Sequence, residues 1–500
     1  MAHVDTELKP KLVRELGLLD ATMIVMGSMI GSGIFITSAE SARLVGSPGW
    51  LLTAWALAGV MTLTGALTCG EVAAMMPRAG GQYVFLREAY SPLFGFLFGW
   101  ATFLVVQTGT IAAVSVAFAK FAGVFFSTIS ADNYLVRPIH FRGYAVSLST
   151  QQLVAVATIV FLTVTNTRGL NVGKWIQNTF TVTKTAALFG LIVVGLGLGV
   201  NRGAAAWTSS WWDSAANGWD PATAQPGLPF AGAAALAVLL GKAMIGPLFS
   251  QSAWNNVTFT GGEIRDPGST LPRALLLGTG SVVLLYLLAN VAYVVVLPLS
   301  EIQNAPQDRV GTRLMESILG RPGTLIMAAA ILISTFGCVN GLVLAGARVY
   351  YAMARDGLFF GPIGTTNARH VPEVALWAQG LWAIVLTLPV TVTVDQATNV
   401  AKYGNLYSQL LDYVVPVDVM FYTLMVGAVM VMRRKRPDLE RPYRSWGYPI
   451  PALIYISIAV FVVLDFIWLS PRVSGIGFLI VLAGIPVYFG WSRRRGNALT

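Results

Sequence analysis

Two clusters in this chain have the residue types to bind both ends of a zwitterion. The first is Gly31-Ser32-Gly33, at the centre of an apolar stretch from about Leu18 to Val45. Glycine costs roughly 1 kcal/mol against alanine inside a helix, so a smooth spanning helix would not carry two here. Backbone unwinds at membrane depth only where protein or a wet cavity surrounds it. A break at this point frees N–H groups from Ile34 onward and C=O groups near Met29 and Ile30. The N–H groups suit a carboxylate and the C=O groups an ammonium. Gly31 and Gly33 allow close approach, and the Ser32 hydroxyl can add a bond. Close packing of helices through small residues is the competing use of such glycines. The second cluster, Ile245 through Asn256, sets Pro247, Ser250, Gln251, Ser252 and Asn255 in the middle of another apolar stretch. One interruption is common in membrane helices. Two in corresponding spans point to an inverted-repeat architecture with a midplane site.

The elements that position these clusters are membrane helices. Of 500 residues, 55% are hydrophobic and 11% charged, against roughly 25% charged in soluble domains. Hydropathy predicts twelve spans, near 18–45, 49–76, 92–127, 150–167, 177–200, 230–260, 273–298, 323–354, 373–394, 402–432, 447–469 and 473–492. The two interrupted spans are the first and the sixth. Even parity puts both termini on one side. Runs such as Arg433-Arg434-Lys435-Arg436 and Arg493-Arg494-Arg495 directly follow apolar segments. The positive-inside rule makes that side cytoplasmic and accounts for the net charge of +10 without nucleic acid.

Several function classes are excluded. Cys69 and Cys338 both fall in apolar stretches, so no disulfide framework is expected. His3, His140 and His370 are far apart in sequence and suggest no metal cluster. There is no phosphate-binding Walker loop and no nucleophile–base pair, so no ATP-driven or enzymatic chemistry and no cofactor is expected. The first 17 residues show no signal peptide.

Gly27-Ser28-Met29-Ile30-Gly31-Ser32-Gly33-Ile34-Phe35 resembles the first-helix motif of the amino acid–polyamine–organocation (APC) superfamily. Phe249 through Asn255, followed by Gly262-Glu263-Ile264-Arg265-Asp266-Pro267, resembles its sixth helix and following loop. Phe336-Gly337-Cys338-Val339-Asn340-Gly341, Arg348, Arg355-Asp356-Gly357, and Pro437-Asp438 with Arg441-Pro442-Tyr443 are similar to its L-type amino acid transporter branch. The likeness runs from about 15 to 490. It implies an all-α membrane protein of twelve helices, with helices 1–5 and 6–10 forming inverted repeats, discontinuous helices 1 and 6, and helices 11 and 12 added. The corresponding segments are a cytoplasmic tail (1–17), a first repeat (18–200), an extracellular loop (201–229) and a second repeat (230–432). A basic cytoplasmic loop (433–446), the last two helices (447–492) and a cytoplasmic tail (493–500) follow.

The resemblance also implies transport of L-amino acids, often by exchange and without sodium, in the plasma (inner) membrane of a bacterial-type cell. It places carbonyls of Met29 or Ile30 and of Phe249 on the substrate ammonium, and makes Phe249 a gate. It places Lys184 where sodium-coupled relatives bind their ion. From there its ammonium would bridge carbonyls near Gly27–Ile30 to hydroxyls of Ser334 or Thr335. Animal L-type transporters join a single-span heavy chain through a cysteine in the loop between helices three and four. Residues 128–149 contain none, so no disulfide-linked heavy chain is expected.

The remaining polar residues leave alternatives open. Many relatives carry glycines where this chain has Ser252-Ala253, which shrinks the pocket toward small or mid-sized neutral substrates; Gln251 adds a polar contact. Trp254 gates the site or packs behind it. Gln107, Thr108 and Asn340 line the pocket or tie helices together. Lys242 faces an outer vestibule, neutralises a carboxylate or snorkels, and Lys120 snorkels. Asp465 makes a helix-packing or oligomer contact, with a transport role as the alternative. Glu71 with Arg78, Arg87 and Glu88 forms an inner ion network or a static clamp. Trp207, Trp211, Trp212 and Trp219 read as interfacial anchors, with a lid as the alternative. A proton-coupled symporter using Lys184 and a non-transporting amino acid sensor are the rival functions.

Overall fold

The computed structural model describes residues 14, 16–77, 80–141, 144–168, 170–199, 210–369, 371–394 and 401–497. Trp207, Arg78, His3 and His370, and most of the N-terminal tail, lie outside these residues. In chain order the helices are α1 (Leu18–Met29), α2 (Gly33–Val45), α3 (Pro48–Met75), α4 (Gln82–Ala89), α5 (Pro92–Ala101), α6 (Gln107–Ala122), α7 (Thr150–Thr167), α8 (Leu170–Leu198), α9 (Pro221–Ala224) and α10 (Gly232–Ala243). There follow α11 (Ile245–Ser250), α12 (Asn256–Phe259), α13 (Pro267–Val296), α14 (Leu299–Gln303), α15 (Val310–Leu319), α16 (Arg321–Arg355), α17 (Glu373–Leu386), α18 (Leu406–Lys435), α19 (Ile450–Leu469) and α20 (Pro471–Asn497). A π-helical segment, Thr102–Val106, joins α5 to α6.

Among the described residues, eight helices are long and apolar enough to cross a membrane. The bent pair α1–α2, angled by 43°, makes a ninth, and α17 and Gly475–Trp491 are shorter apolar helices. The ends follow local chemistry. Ser47 caps α3 through the Trp50 N–H with Pro48 at the first helical position. Ser149 and Gln152 form a reciprocal capping box at the start of α7. The α5–α6 region is the most enclosed of the long spans. By contrast α8 exposes Val182, Phe189 and Val193, and α19 exposes Val460, Phe461 and Leu464, as a lipid-facing rim requires.

The all-helical expectation omits one feature. Strands β1 (Tyr134–Phe141), β2 (Tyr144–Ser149), β3 (Pro389–Val394) and β4 (Ala401–Tyr403) form an antiparallel sheet in that order. It lies on the side of the molecule opposite the termini. Hydropathy extended the ninth span to 394, but Pro389-Val390-Thr391-Val392-Thr393-Val394 is β-branched with period-two alternation, which favours a strand. Pro138 sits in the edge strand β1, where no ladder donor is needed.

Candidate substrate site at two helix breaks

The first break leaves four carbonyls at the end of α1 without intrahelical partners. Side chains from three helices meet them in turn. The buried Lys184 ammonium, from α8, donates to the Gly27 carbonyl. The Cys338 thiol, from α16, lies 3.8 Å from the Ser28 carbonyl. Tyr286 of α13 donates to the Met29 carbonyl at 3.0 Å. Ser334 of α16 reaches the Ile30 carbonyl at 3.5 Å. Each carbonyl keeps a second lone pair. Thr335, expected beside Ser334, instead donates to Ile331 and Leu332 on its own helix. Across the break, Phe35 N–H turns back to the Ser32 carbonyl at 3.1 Å. The Gly33 and Ile34 amides have no intrahelical acceptor. Ser32 does not cap α2; its hydroxyl pairs with Tyr407 at 3.0 Å. The glycines are also needed for packing. A Cβ on Gly31 would come 3.2 Å from the Cys338 sulfur, and one on Gly33 would fall 2.1 Å from Ser250 Oγ and 3.0 Å from its Cα.

The second break comes later than the proline suggests. Pro247 is carried within α11, and the chain leaves helical form over residues 251–255 before the single turn of α12. Ala253 takes φ 64°, a left-handed conformation that costs a non-glycine residue about 1–2 kcal/mol. The Tyr422 hydroxyl holds it by accepting from the Ala253 N–H at 3.0 Å and donating to Asn255 Oδ1 at 3.0 Å. Trp254 is buried and stacks on Tyr422, with ring centres 5.1 Å apart. Ser250 and Ser252 return their hydroxyls to the Gly246 and Phe249 carbonyls, at 2.7 and 2.8 Å. Gln251 reaches the Trp55 carbonyl at 3.4 Å, and its Oε1 has no partner. The Phe249 ring meets Tyr407 edge-on at 6.0 Å, so Tyr407 touches both breaks.

The amino acid permease family matches residues 16–491. The chain belongs to that family. The large neutral amino acids transporter small subunit 2 of Mus musculus is 30% identical over 96% of this chain and 81% of its own length. The serine/threonine exchanger SteT of Bacillus subtilis (strain 168) is 28% identical over 97% of this chain and 98% of its own. The b(0,+)-type amino acid transporter 1 of Mus musculus is 27% identical over 99% and 93%. The chain is therefore a multi-pass membrane transporter of amino acids and not an enzyme.

Around the breaks the permease is nearly closed. Two small cavities flank the second break. One, of about 20 Å³, is lined by Phe249, Gln251, Ser252 and Trp254; the other, of about 30 Å³, by Gln107, Ser252 and Ala253. The π-helical turn precedes Gln107 and helps aim it there. Its amide nitrogen donates to the Leu342 carbonyl at 2.7 Å. Thr108 bonds Phe103 of its own helix. Asn340 lines neither cavity; its Oδ1 accepts from Asn166 at 2.9 Å and ties α16 to α7.

The sheet side is fastened by Asp308. Its carboxylate pairs with Arg43 at 2.9 Å and Lys120 at 3.7 Å and accepts from Asn405 at 2.9 Å. Lys120 is thus buried and paired rather than snorkelling. A cavity of about 750 Å³ opens on this side, with Glu40, Arg43, Trp219, Lys242 and Asp412 on its walls. Lys242 shares it with three carboxylates, Glu40, Asp220 and Asp412, and donates to Gln225 at 2.5 Å. The Trp219 indole lies against Gly46 and donates to the Leu44 carbonyl at 3.0 Å, and Trp212 packs against Gly49. Trp219 and Trp212 thus pack over the ends of α2 and α3.

On the termini side Glu71 is fully buried. It binds Arg433 through two bonds of 2.9 and 2.6 Å, lies 3.4 Å from Arg441, and accepts from the Ser445 N–H at 2.8 Å. Arg87, one of its expected partners, pairs instead with Glu88 and Asp356. Tyr83 also donates to Asp356, at 2.8 Å. Burial first, and that bond second, push the Tyr83 phenol well above its ordinary range, so it stays a donor. Asp465 of α19 packs against Gly241 of α10, a helix contact.

Among the carboxylates that escaped the sequence reading, three lie within predicted spans and beside cavities: Glu40, Asp412 and Asp418. The default suspicion attached to any ionisable residue within a span is the signal that finds them.

Proposed function

We propose that this chain is a sodium-independent exchanger of small neutral L-amino acids. In this reading the substrate carboxylate takes the open amides at the start of α2, around Gly33 and Ile34, with Gly31 allowing close approach and the Ser32 hydroxyl adding a bond, and its ammonium takes the carbonyls of Met29, Ile30 and Phe249. Phe249 and Trp254 cover the site, and the two repeats of five helices rock about it to expose it alternately to each side. The termini are cytoplasmic, the protein lies in the inner membrane, and it works without a disulfide-linked heavy chain. Its two cysteines are both buried in helices, which supports the last point.

The observation that carries this reading is Lys184 on the Gly27 carbonyl. A fixed ammonium there supplies the positive charge that a sodium ion would otherwise bring to the end of α1. The names of the similar proteins support amino acid exchange, and the small cavities support small substrates. Purified protein in proteoliposomes tests it. Uptake of labelled amino acid is expected to require unlabelled amino acid inside, and to ignore sodium and pH gradients. Accumulation in empty vesicles driven by a pH gradient would instead establish proton symport. Saturable binding with no flux in any condition would establish a sensor.

A further inference from the structure

Asp418 lies on α18, and nothing in the backbone-binding scheme uses it. It lines both small cavities beside the second break, as do Ser252 and Tyr422. The two cavities therefore abut at this carboxylate. No lysine or arginine lines either one. No hydrogen bond or ion pair reaches the carboxylate among the described residues.

The donors around it are mostly committed. The Tyr422 hydroxyl donates to Asn255. The Ser252 hydroxyl donates to the Phe249 carbonyl and the Gln107 amide to the Leu342 carbonyl. Tyr455 and Asn256 also line the cavities, and among the described residues no hydrogen bond joins either to Asp418; the Asn256 amide nitrogen has no partner. A carboxylate enclosed in a membrane protein needs a donor or a cation. An intramembrane carboxylate facing a cavity marks what the protein handles.

We propose that Asp418 is the specificity residue for the substrate side chain, accepting a hydrogen bond from a donor group at the end of a short side chain. This rests on the amino acid exchange reading; within the neutral class it favours short side chains ending in a hydroxyl, and it extends the class to short side chains ending in an amino group. Two features set the length. The cavities hold only one or two waters' worth of space, and the side chains of Ser252 and Ala253 stand where glycines would leave more room. An apolar side chain of equal size fills the same space but leaves the carboxylate dry and unpaired. A site built to bond a donor rejects such an isostere strongly.

The test uses full-length protein in proteoliposomes exchanging labelled alanine. Three competitors matched in size are compared: serine, 2,3-diaminopropionate and 2-aminobutyrate. In the wild type the two donor-bearing compounds are expected to compete about tenfold or more better than 2-aminobutyrate. Asp418→Leu is expected to abolish that preference. Asp418→Asn keeps the shape and an acceptor but loses the charge, and is expected to lose the preference for 2,3-diaminopropionate by about tenfold. It carries the test if the leucine variant does not elute as a monodisperse species. Equal competition by all three compounds in the wild type would overturn the assignment while leaving exchange intact. Wild-type ratios in Asp418→Asn would do the same. Absence of alanine exchange in the wild type would overturn the exchange reading and this assignment with it.

Discussion

The two helix breaks solve the same problem in opposite ways. At the first, every carbonyl that α1 leaves open meets a side chain from a surrounding helix: Lys184, Cys338, Tyr286 and Ser334. At the second, the backbone is strained at Ala253 and held mainly by one hydroxyl, Tyr422, beside two cavities and an unpaired carboxylate. A saturated, closely packed break makes a fixed frame. That suits the invariant part of an amino acid, its carboxylate and ammonium. A strained, loosely filled break suits the variable part. On the proposed function, backbone recognition rests chiefly on α1–α2, with the Phe249 carbonyl completing it, and side-chain selection falls to the α11–α12 turn and α18.

The contrast can be broken most forcefully at Gly33. Gly33→Ala places a methyl 3.0 Å from the Ser250 backbone, and overpacking of this kind costs about 1–3 kcal/mol. Because the frame would shift as a unit, uptake of every substrate is expected to fall by up to about a hundredfold, with no change in selectivity. A change in substrate preference without loss of rate would place side-chain selection at the first break. Lys184→Met comes next. It leaves the Gly27 carbonyl without its charged donor, a loss of about 1.5–3 kcal/mol. Initial exchange rates are expected to drop about tenfold or more for all substrates alike. Unchanged kinetics would remove the ammonium from the frame.

The smallest effect is expected at Ala253. Ala253→Gly relieves left-handed strain of about 1–2 kcal/mol but adds about 0.5–1 kcal/mol of backbone entropy to the unfolded chain. Thermal stability should therefore change by less than about 1 kcal/mol, and only slightly upward. Larger neutral side chains should compete better, because the cavity wall recedes. A shift confined to stability, with the competitor profile untouched, would separate the second break from selection.

These residues also show what the sequence could and could not reveal. Gly31-Ser32-Gly33 was legible because glycine in a membrane helix is costly unless the backbone does something else. Lys184 was legible because a lysine there demands a partner; it meets one carbonyl of the expected Gly27–Ile30 stretch, while Ser334 and Thr335 bond backbone carbonyls instead of completing the expected bridge. The faces of helices were not legible. Gln107 and Asn340 are both mid-span amides, yet of the two only Gln107 lines a cavity beside the second break. Asp418 sits in an apolar run whose hydropathy says only that it spans. Which way its carboxylate points is set by the packing of α18 against α3 and α6. Glu71 looked like a partner for nearby Arg87, but a buried carboxylate takes the donors that enclose it, and those come from the distant basic loop. The sheet was missed because Pro389–Val394 is as apolar as a helix end.

Backbone recognition by the two breaks is tested most directly by competition in proteoliposomes exchanging labelled alanine. Free alanine, its methyl ester and its N-acetyl form are compared at equal concentration. Only the free zwitterion should displace the label, because each derivative removes one of the two charged ends that the breaks hold. Equal displacement by all three would contradict the account.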